Sequence, residues 1–361
     1  MNSKVLIVKT SPEKIIDDYG LILQKFWSGR KKTPVILKLN LSWTKFYPAC
    51  SSPPWQVEGA IKGLLDLGFS PKQIIPVENR TVVTDVHRGA KNHFWDEVCQ
   101  KYGVKIHYLT EEPYIKHKPK SKMMVLDKIF EQGIFLPKIL FDKPLISLCT
   151  LKTHVFTQTT GAIKNYFGML NTRRHWAHRF IHEAIIDLLQ IQKEIHPEIL
   201  ALMDGAILGF GAGPRAMEWR EAGLVLASRD EVALDAVASK ILGFDPQKIK
   251  YLNLAKELEL GENNLDRVII EGVSSIPQFN KMKQREGDTF ASKGQKLIYH
   301  HLPLWLEKLL LQSFIAPWSY LASKLYYDFY WYNITGKPRV RRFLNTSWGK
   351  LFLNYGKDKK I

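Results

Sequence analysis

The segment PVILKLNLSWTKFYPACSSPPWQVEGAIKGLLDLGFSPKQIIPVEN, residues 34–79, holds two short apolar runs separated by a helical pattern. From Val57 to Leu65 the apolar residues recur at the spacing of one helix face, and Gly68 ends the pattern. The runs at 34–41 and 74–79 have the composition of short strands. A strand, a helix and a strand within about 45 residues form a βαβ unit, whose strands lie parallel. This segment therefore predicts a parallel sheet.

The same alternation of strands and helices continues along the chain and predicts an α/β fold, a mainly parallel sheet flanked by helices. From about residue 286 the sequence instead becomes rich in aromatic and basic residues. We therefore expect an α/β core at 1–285 and an aromatic, basic helical extension at 286–361. Further strands are predicted at 6–8, 105–109, 143–149, 199–204 and 223–228, and helices at 55–67, 94–102, 178–193 and 231–242.

The formal net charge of the 361-residue chain is +17, which is unusual for a soluble protein. A positive field of that size favours anionic partners such as phosphates, carboxylates, nucleic acid or an anionic membrane face. Cys50, Cys99 and Cys149 form no C-x-x-C pair, so we expect neither an iron–sulfur cluster nor a disulfide framework. The sequence has no signal-peptide pattern and no apolar stretch of about 18 residues, which favours a cytoplasmic location.

Polar side chains follow several predicted strands at the point where each strand ends. Ligand sites in open parallel sheets lie outside these carboxyl ends. Glu78 closes one strand, and Lys38, Lys152 and Asp204 stand at the ends of others. We therefore expect one cleft to gather Lys38, Asn40, Lys152, His154, Lys164, Asn165 and Asp204.

The stretch LKTHVFTQTTGAIKNYFGML, residues 151–170, carries the densest polar chemistry of the chain. Its T-T-G step predicts a turn that enters a helix, where backbone N–H groups, the Thr160 hydroxyl and Lys164 hold an anion. Its single glycine and spacing exclude a Walker A loop. An ordinary solvated loop is the alternative. Asp235, in the helix predicted at 231–242, is expected to point inward toward these lysines, either paired or with a pKa suited to proton transfer.

His175, His178 and His182 are spaced three and then four residues apart, which puts them on one face of a helix. Imidazoles in this pattern either bind a divalent transition metal or, with the neighbouring arginines, contact an anionic ligand. A solvated helix start is the third interpretation.

The order of these motifs resembles the family known as domain of unknown function 362 (DUF362). The K-x-H, K-N and F-G motifs of that family appear here as LKTH at 151–154, TTGAIKN at 159–165 and YFGML at 166–170. The resemblance covers about residues 35–260 and implies a fold and a site but no reaction. Many members also carry a ferredoxin-like cluster segment, for which this chain lacks the cysteines. The other matches are LKLN at 37–40, HRFIHEAIIDL at 178–188, LMDGAILGFGAGP at 202–214 and LASRDEVALDAVASKILGFDP at 226–246.

These features together favour an enzyme that acts on a small anionic substrate, with or without a metal, and they leave the reaction class open. Nucleic-acid binding, and a redox or scaffold role without a cluster, are the alternatives. The residues assigned to catalysis are His154, Lys164, Asp204 and Asp235. Those assigned to substrate binding are Lys38, Asn40, Glu78, Lys152, Thr160 and Asn165.

Residues 302–332 combine apolar and aromatic side chains with few charges, and basic residues follow from Lys337 to Lys360. Tryptophan and tyrosine favour the boundary between membrane and water, and lysine and arginine attract anionic headgroups. This segment therefore predicts peripheral attachment to an anionic membrane surface. The alternatives are that its aromatic residues pack on the core or form a homodimer contact.

Overall fold

The computed structural model describes residues 3–27, 33–279, 288–314 and 316–356, and within them a nine-stranded sheet forms the centre of the protein. A separate two-stranded hairpin lies beside it. The strands are β1 (Lys4–Lys9), β2 (Val35–Lys38), β3 (Ile74–Glu78), β4 (His107–Tyr108), β5 (Tyr114–His117), β6 (Ile134–Pro137), β7 (Leu145–His154), β8 (Gln158–Thr160), β9 (Ile199–Ala212), β10 (Ala216–Ser228) and β11 (Ile269–Glu271).

Helices connect and cover these strands. Two π-helical segments, Leu297–His301 and Leu325–Gly336, occur near the C-terminus, and a 3₁₀ helix spans Thr172–Phe180. The α-helices are α1 (Ile15–Phe26), α2 (Pro54–Asp66), α3 (Val86–Asn92), α4 (Trp95–Lys101), α5 (Leu126–Ile129), α6 (Ala162–Asn165), α7 (Ile181–Ile195), α8 (Glu231–Ile241), α9 (Lys250–Glu257), α10 (Phe290–Lys296), α11 (Leu304–Gln312), α12 (Pro317–Lys324), α13 (Lys337–Leu344) and α14 (Ser347–Asn354).

The main sheet is mostly parallel. Its strand order is β11-β1-β10-β9-β7-β2-β3-β4, with β8 paired to β7. The central strand β2 pairs in parallel with β3 and β7, and β7 pairs in parallel with β9. β10 runs antiparallel to both β1 and β9. The α/β fold predicted from residues 34–79 and from the repeated alternation is therefore confirmed.

Both faces of the sheet are covered by helices. Successive residues of a strand point to opposite faces, so Leu37 packs in the apolar cluster that contains residues of α1 and α2. Ile36 joins the cluster built by α6 to α9 on the other face. Because both faces are buried, β2 and β7 are apolar almost throughout and their polar residues gather toward their ends.

Two strands extend further than the sequence predicts. β7 continues to His154, so the LKTH motif belongs to the strand itself. β9 continues to Ala212 and forms a long hairpin with β10, in which Gly211 lies opposite Met217. The prediction that the strand ends at Asp204 is therefore wrong. The glycines allow close packing, since a Cβ on Gly213 would lie 2.0 Å from the Thr153 carbonyl oxygen.

The C-terminal extension folds back onto the core at several points. The Trp331 ring lies 6.0 Å from the ring of Trp43, and Trp348 lies 5.4 Å from Trp55, between ring centroids. Phe343 and Phe352 join the apolar cluster of α1 and α2. The predicted packing of tail aromatics on the core therefore holds for these residues. Lys357, Lys359 and Lys360, part of the predicted basic run, lie outside the described residues.

Other side chains of the extension face outward. Of the 18 large apolar side chains exposed among the described residues, 12 lie between Phe290 and Ile334, so the apolar surface is concentrated in this segment. Trp305 is 68% exposed and Phe314 is 90% exposed. In the part of the chain that the structure describes, no helix combines the length and apolarity needed to cross a membrane.

Candidate functional site

A cavity of about 510 Å³ lies where β2, β3 and β7 end, between these strand ends and the C-terminal extension. This is the edge at which open parallel sheets bind ligands. The core contributes Lys38, Asn40, Glu78, His154, Phe156, Lys164, Asn165, Phe167, Arg174, His175, His178 and Arg215 to its wall. The extension contributes Phe290, Ile298, Tyr299, Leu311, Trp318, Tyr320, Tyr326 and Tyr327, among others.

A buried ion pair forms part of the cavity wall. The parallel register of β2 and β3 brings Lys38 beside Glu78, and Lys38 Nζ lies 2.9 Å and 3.0 Å from the two carboxylate oxygens. Burial lowers the pKa of Lys38, and the charge of Glu78 opposes that shift. Because the two charges satisfy each other, this pair contributes little net charge to the cavity.

Two asparagines extend this network from β2 to α6. Asn40 Nδ2 donates to Asn165 Oδ1 at 3.2 Å, and Asn165 Nδ2 donates to Ser147 Oγ at 3.1 Å. Lys152 Nζ donates to Asn40 Oδ1 at 2.7 Å and to Thr150 Oγ1 at 2.8 Å. Burial lowers the pKa of Lys152 to about 8. Lys152 does not line the cavity; its hydrogen bond holds Asn40, which does.

A carboxylate from α8 holds the start of α6. Asp235 accepts hydrogen bonds from the backbone N–H groups of Ala162, at 2.7 Å, and Ile163, at 3.2 Å. A Cβ on Gly161 would lie 2.0 Å from Asp235 Oδ1, so the T-T-G step requires glycine here. The sequence predicts Asp235 beside the lysines, whereas in the structure its carboxylate accepts hydrogen bonds from the backbone at the start of α6. Burial raises its pKa to about 7.

α6 presents Lys164 to the cavity. Lys164 Nζ lies 5.2 Å from the centre of the Phe167 ring. No described residue hydrogen-bonds or forms an ion pair with this amine. Burial lowers the pKa of Lys164 to about 7, and the positive charges of Lys152 and Arg174 add to the shift. At neutral pH the amine is therefore present in both its charged and its neutral form.

Two arginines also line the cavity: Arg174, one of the arginines predicted beside the histidines to contact an anion, and Arg215, which the sequence did not place at the site. Arg174 is 6% exposed and donates from Nη1 to the Leu170 carbonyl at 3.1 Å. The Arg215 guanidinium lies 3.9 Å above the Tyr327 ring centre. Neither arginine forms an ion pair with a described carboxylate. Arg174 follows the LKTH–IKN segment closely in the sequence, and this proximity could have predicted its place at the site. Arg215 reaches the site only because the β9–β10 hairpin brings it there.

The three spaced histidines do not form a common ligand set. His175 Nε2 lies 2.9 Å from Tyr320 Oη, and the His178 ring stacks on Tyr299 with centroids 5.5 Å apart. His182 stacks instead on Tyr251, outside the cavity wall. The predicted single helical face fails because the first two histidines lie in a 3₁₀ helix and the third in α7. Among the described residues no group of three or more His, Cys, Asp or Glu side chains is arranged to hold a metal.

His154 does line the cavity, as a neutral ring. Its Nδ1 accepts a hydrogen bond from the Phe156 N–H at 3.2 Å. Burial holds the pKa of His154 well below its ordinary value, and the charges of Lys164 and His178 add to the effect. Burial also lowers the pKa of His178, to about 3.

Asp204 and Thr160 lie outside the cavity wall. Asp204 Oδ2 accepts hydrogen bonds from the Tyr19 hydroxyl at 2.9 Å and from Trp55 Nε1 at 2.8 Å. It therefore serves the interface with α1 and α2, and burial raises its pKa to about 6. Thr160 lies in β8, opposite Lys152. Of the seven residues predicted to share a cleft, Lys38, Asn40, His154, Lys164 and Asn165 line it, whereas Lys152 and Asp204 do not.

The comparison with known families matches this part of the chain. The model of the family described as "Domain of unknown function (DUF362)" matches residues 35–240, more than half of the chain. The chain belongs to the DUF362 family. The resemblance predicted from the sequence is thereby confirmed. The DUF362 segment supplies most of the polar wall of the cavity, including Lys38, His154 and Lys164, whereas α10 to α12 lie beyond it.

Two individual proteins are similar to this DUF362 chain. "Thylakoid-associated protein sll1697" from Synechocystis sp. is 35% identical over 127 residues, covering 33% of this chain and 38% of that protein. The chain thus matches well under two thirds of the relative's length. A crystal structure of a protein from Thermotoga maritima matches with a TM-score of 0.38 and 14% identity, over 68% of this chain and 59% of that one.

Proposed function

We propose that the cavity binds a small anionic ligand and that the protein is an enzyme acting on it. The observation that carries this proposal is Lys164, an amine at the cavity wall with no partner among the described residues and a pKa of about 7. Arg174 and Arg215 line the same cavity without carboxylate partners in the described chain. Cationic side chains that lack an ion-pair partner among the described residues favour an anion in the cavity.

In this proposal the arginines hold the anion and Lys164 transfers a proton. An amine whose pKa lies near neutral pH is suited to general acid–base catalysis, because both of its protonation states are populated. His154 stays neutral and offers its second ring nitrogen for hydrogen bonding. The Lys38–Glu78 pair and the Asn40–Asn165 contact keep the strand ends in register behind the ligand.

The remaining sequence assignments take positioning roles in the proposal. Asp235 fixes α6 and so fixes Lys164, and Lys152 fixes Asn40. Asp204 anchors β9 to α1 and α2 and takes no part in the chemistry. Metal assistance receives no support from the positions of the three histidines in the described chain.

Titration calorimetry with inorganic phosphate and with acetate tests the binding step. We expect Lys164→Met and Arg174→Met each to weaken phosphate binding roughly tenfold or more, with Lys91→Met, at an exposed position of α3, as the control that changes nothing. The second measurement is the pH dependence of trinitrobenzenesulfonate labelling of Lys164, read by mass spectrometry. A half-maximal labelling rate near pH 7 supports the proposal, and one near pH 10 contradicts it.

A second proposed role is peripheral attachment of the protein to a membrane surface through the extension. It is favoured by the concentration of exposed apolar side chains between Phe290 and Ile334 and by the name of the relative from Synechocystis sp., a thylakoid-associated protein. Arg339 and Arg342 both pair with Glu218, so the apolar side chains contribute more than this basic cluster. The exposed Lys337, Arg341 and Lys350 form no ion pair with a described residue.

Vesicle co-sedimentation tests this role. Removing the whole extension would also remove Phe343, Trp348 and Phe352 from the core, so point substitutions are the sharper tool. We expect Phe314→Asp to reduce sedimentation with phosphatidylglycerol vesicles severalfold, and Leu21→Asp, at a position of α1 that is 61% exposed, to leave it unchanged. If the unmodified protein ignores both anionic and neutral vesicles, the membrane role is excluded.

A further inference from the structure

The two sides of the cavity differ in chemistry. On the side of the strand ends lie the cationic groups Lys164 and Arg174, whereas Arg215 stacks on Tyr327 of the extension. On the side of the extension the lining is formed mainly by apolar and aromatic residues, among them Ile298, Leu311, Trp318, Tyr326 and Tyr327. A ligand that fills the cavity therefore meets positive charge at one end and an apolar surface at the other.

The apolar side is firmly attached to the core. Arg179 Nη1 lies 2.5 Å from Glu307 Oε2 and also donates to the Leu302 carbonyl at 3.1 Å. Glu307 is almost fully buried, whereas the Arg179 side chain is 23% exposed, so the carboxylate depends on this pairing. The Tyr299 ring makes an edge contact with Phe156, with centroids 5.7 Å apart, next to the LKTH motif. These contacts hold the extension against the core, where it forms one wall of the cavity.

The volume of the cavity exceeds what a small anion needs. A water molecule takes up about 30 Å³ of liquid, and an inorganic phosphate is only a few times larger. The 510 Å³ available falls in the range of sites that enclose ligands of drug size. A small anion alone would leave water against the aromatic wall, where its replacement by apolar groups is favourable.

Building on the proposed function, we infer that the ligand is an amphiphile with one phosphate or carboxylate head and an apolar chain or ring system. The head lies at Lys164 and Arg174, and the apolar part lies under the extension against Ile298 and Trp318. The DUF362 segment ends at residue 240, so most of the apolar wall comes from beyond the family match. The family segment accordingly recognises the head, and the extension selects the apolar part.

Calorimetry with a homologous series tests this inference, using ethyl, hexyl and dodecyl phosphate below their micelle concentrations, and dodecanoate. Each methylene that becomes fully buried is worth about 0.8 kcal/mol, or about fourfold in affinity. We expect affinity to rise steeply along the series, with one site per chain. Affinity that stays flat from ethyl to dodecyl phosphate overturns the inference and leaves the proposed anion site standing. Failure of every member to bind overturns both.

Two neighbouring residues provide a matched pair of variants. Ile298 lines the cavity, whereas the adjacent Leu297 is 54% exposed and does not. We expect Ile298→Asp to abolish the chain-length dependence while ethyl phosphate still binds, and Leu297→Asp to preserve it. If Ile298→Asp fails to fold, Gly294→Trp replaces it, because a Cβ at this cavity position meets no atom within 4 Å. An unchanged series in both cavity variants contradicts the inference.

Discussion

Removing the carboxylate of Glu78 should strongly destabilise the protein. Lys38 and Glu78 are 1% and 2% exposed, so neither charge has water to replace its partner. Breaking a buried pair by removing one member costs about 3–5 kcal/mol, because the remaining charge stays uncompensated. Lys38 keeps its hydrogen bond to the Leu39 carbonyl in Glu78→Gln. We therefore expect a loss near the lower end, about 3 kcal/mol in the free energy of unfolding.

Urea denaturation followed by circular dichroism measures this loss. The matched control is Glu271→Gln, which removes a partly exposed carboxylate paired with Lys4 and Lys25 and should cost less than about 1 kcal/mol. The double variant Lys38→Met/Glu78→Leu removes both charges and should recover most of the stability. A Glu78→Gln protein within 1 kcal/mol of the original, or a double variant as unstable as the single one, refutes the reasoning.

The pH dependence of the single variant gives an independent check. Burial already lowers the pKa of Lys38, and losing Glu78 lowers it further. A lysine whose pKa is lower in the folded protein destabilises it at low pH, where the unfolded chain holds the proton more tightly. The deficit of Glu78→Gln should therefore shrink as the pH rises toward the ordinary lysine pKa of about 10.4. A deficit that grows with pH contradicts this account.

Three further predictions concern other elements. Gly161→Ala places a Cβ 2.0 Å from Asp235 Oδ1, so it should destabilise the fold by about 3 kcal/mol and weaken phosphate binding. The control is Gly294→Ala, which has open space around its Cβ and should be neutral or slightly stabilising in thermal unfolding. The pKa of Asp235 rises from 3.8 to about 7 on folding, so this residue stabilises the fold most below pH 4, and its contribution falls by roughly 4 kcal/mol as the pH rises to 7. The free energy of unfolding of Asp235→Asn should lack this fall between the two pH values. Equal pH slopes for the variant and the original protein would argue against this account. Trp348 packs against Trp55 and is 3% exposed, so Trp348→Ala should lower the free energy of unfolding in urea by about 3–5 kcal/mol. Trp305 is 68% exposed, so Trp305→Ala should change it by no more than about 0.5 kcal/mol. Similar losses for both variants would show that the extension packs differently.

The sequence alone determined the elements whose signal is local. The βαβ pattern of residues 34–79 depends on apolar spacing within each segment, and it predicted the parallel pairing of β2 and β3. Strand ends of a parallel sheet meet at one edge, so Lys38, Asn40, His154, Lys164 and Asn165 could be grouped from strand positions.

Only the tertiary structure decided the features that depend on pairing between distant segments. The glycine-rich stretch after Asp204 looks like a loop until β10 pairs with it, and that pairing turns Asp204 toward Tyr19 and brings Arg215 to the cavity. The histidines separate because the chain adopts a 3₁₀ helix whose rotation per residue differs from that of α7. The aromatic wall exists because the extension folds back over the strand ends, held by contacts such as Arg179 with Glu307. Burial of this kind is set by the whole chain, and no local pattern of residues specifies it.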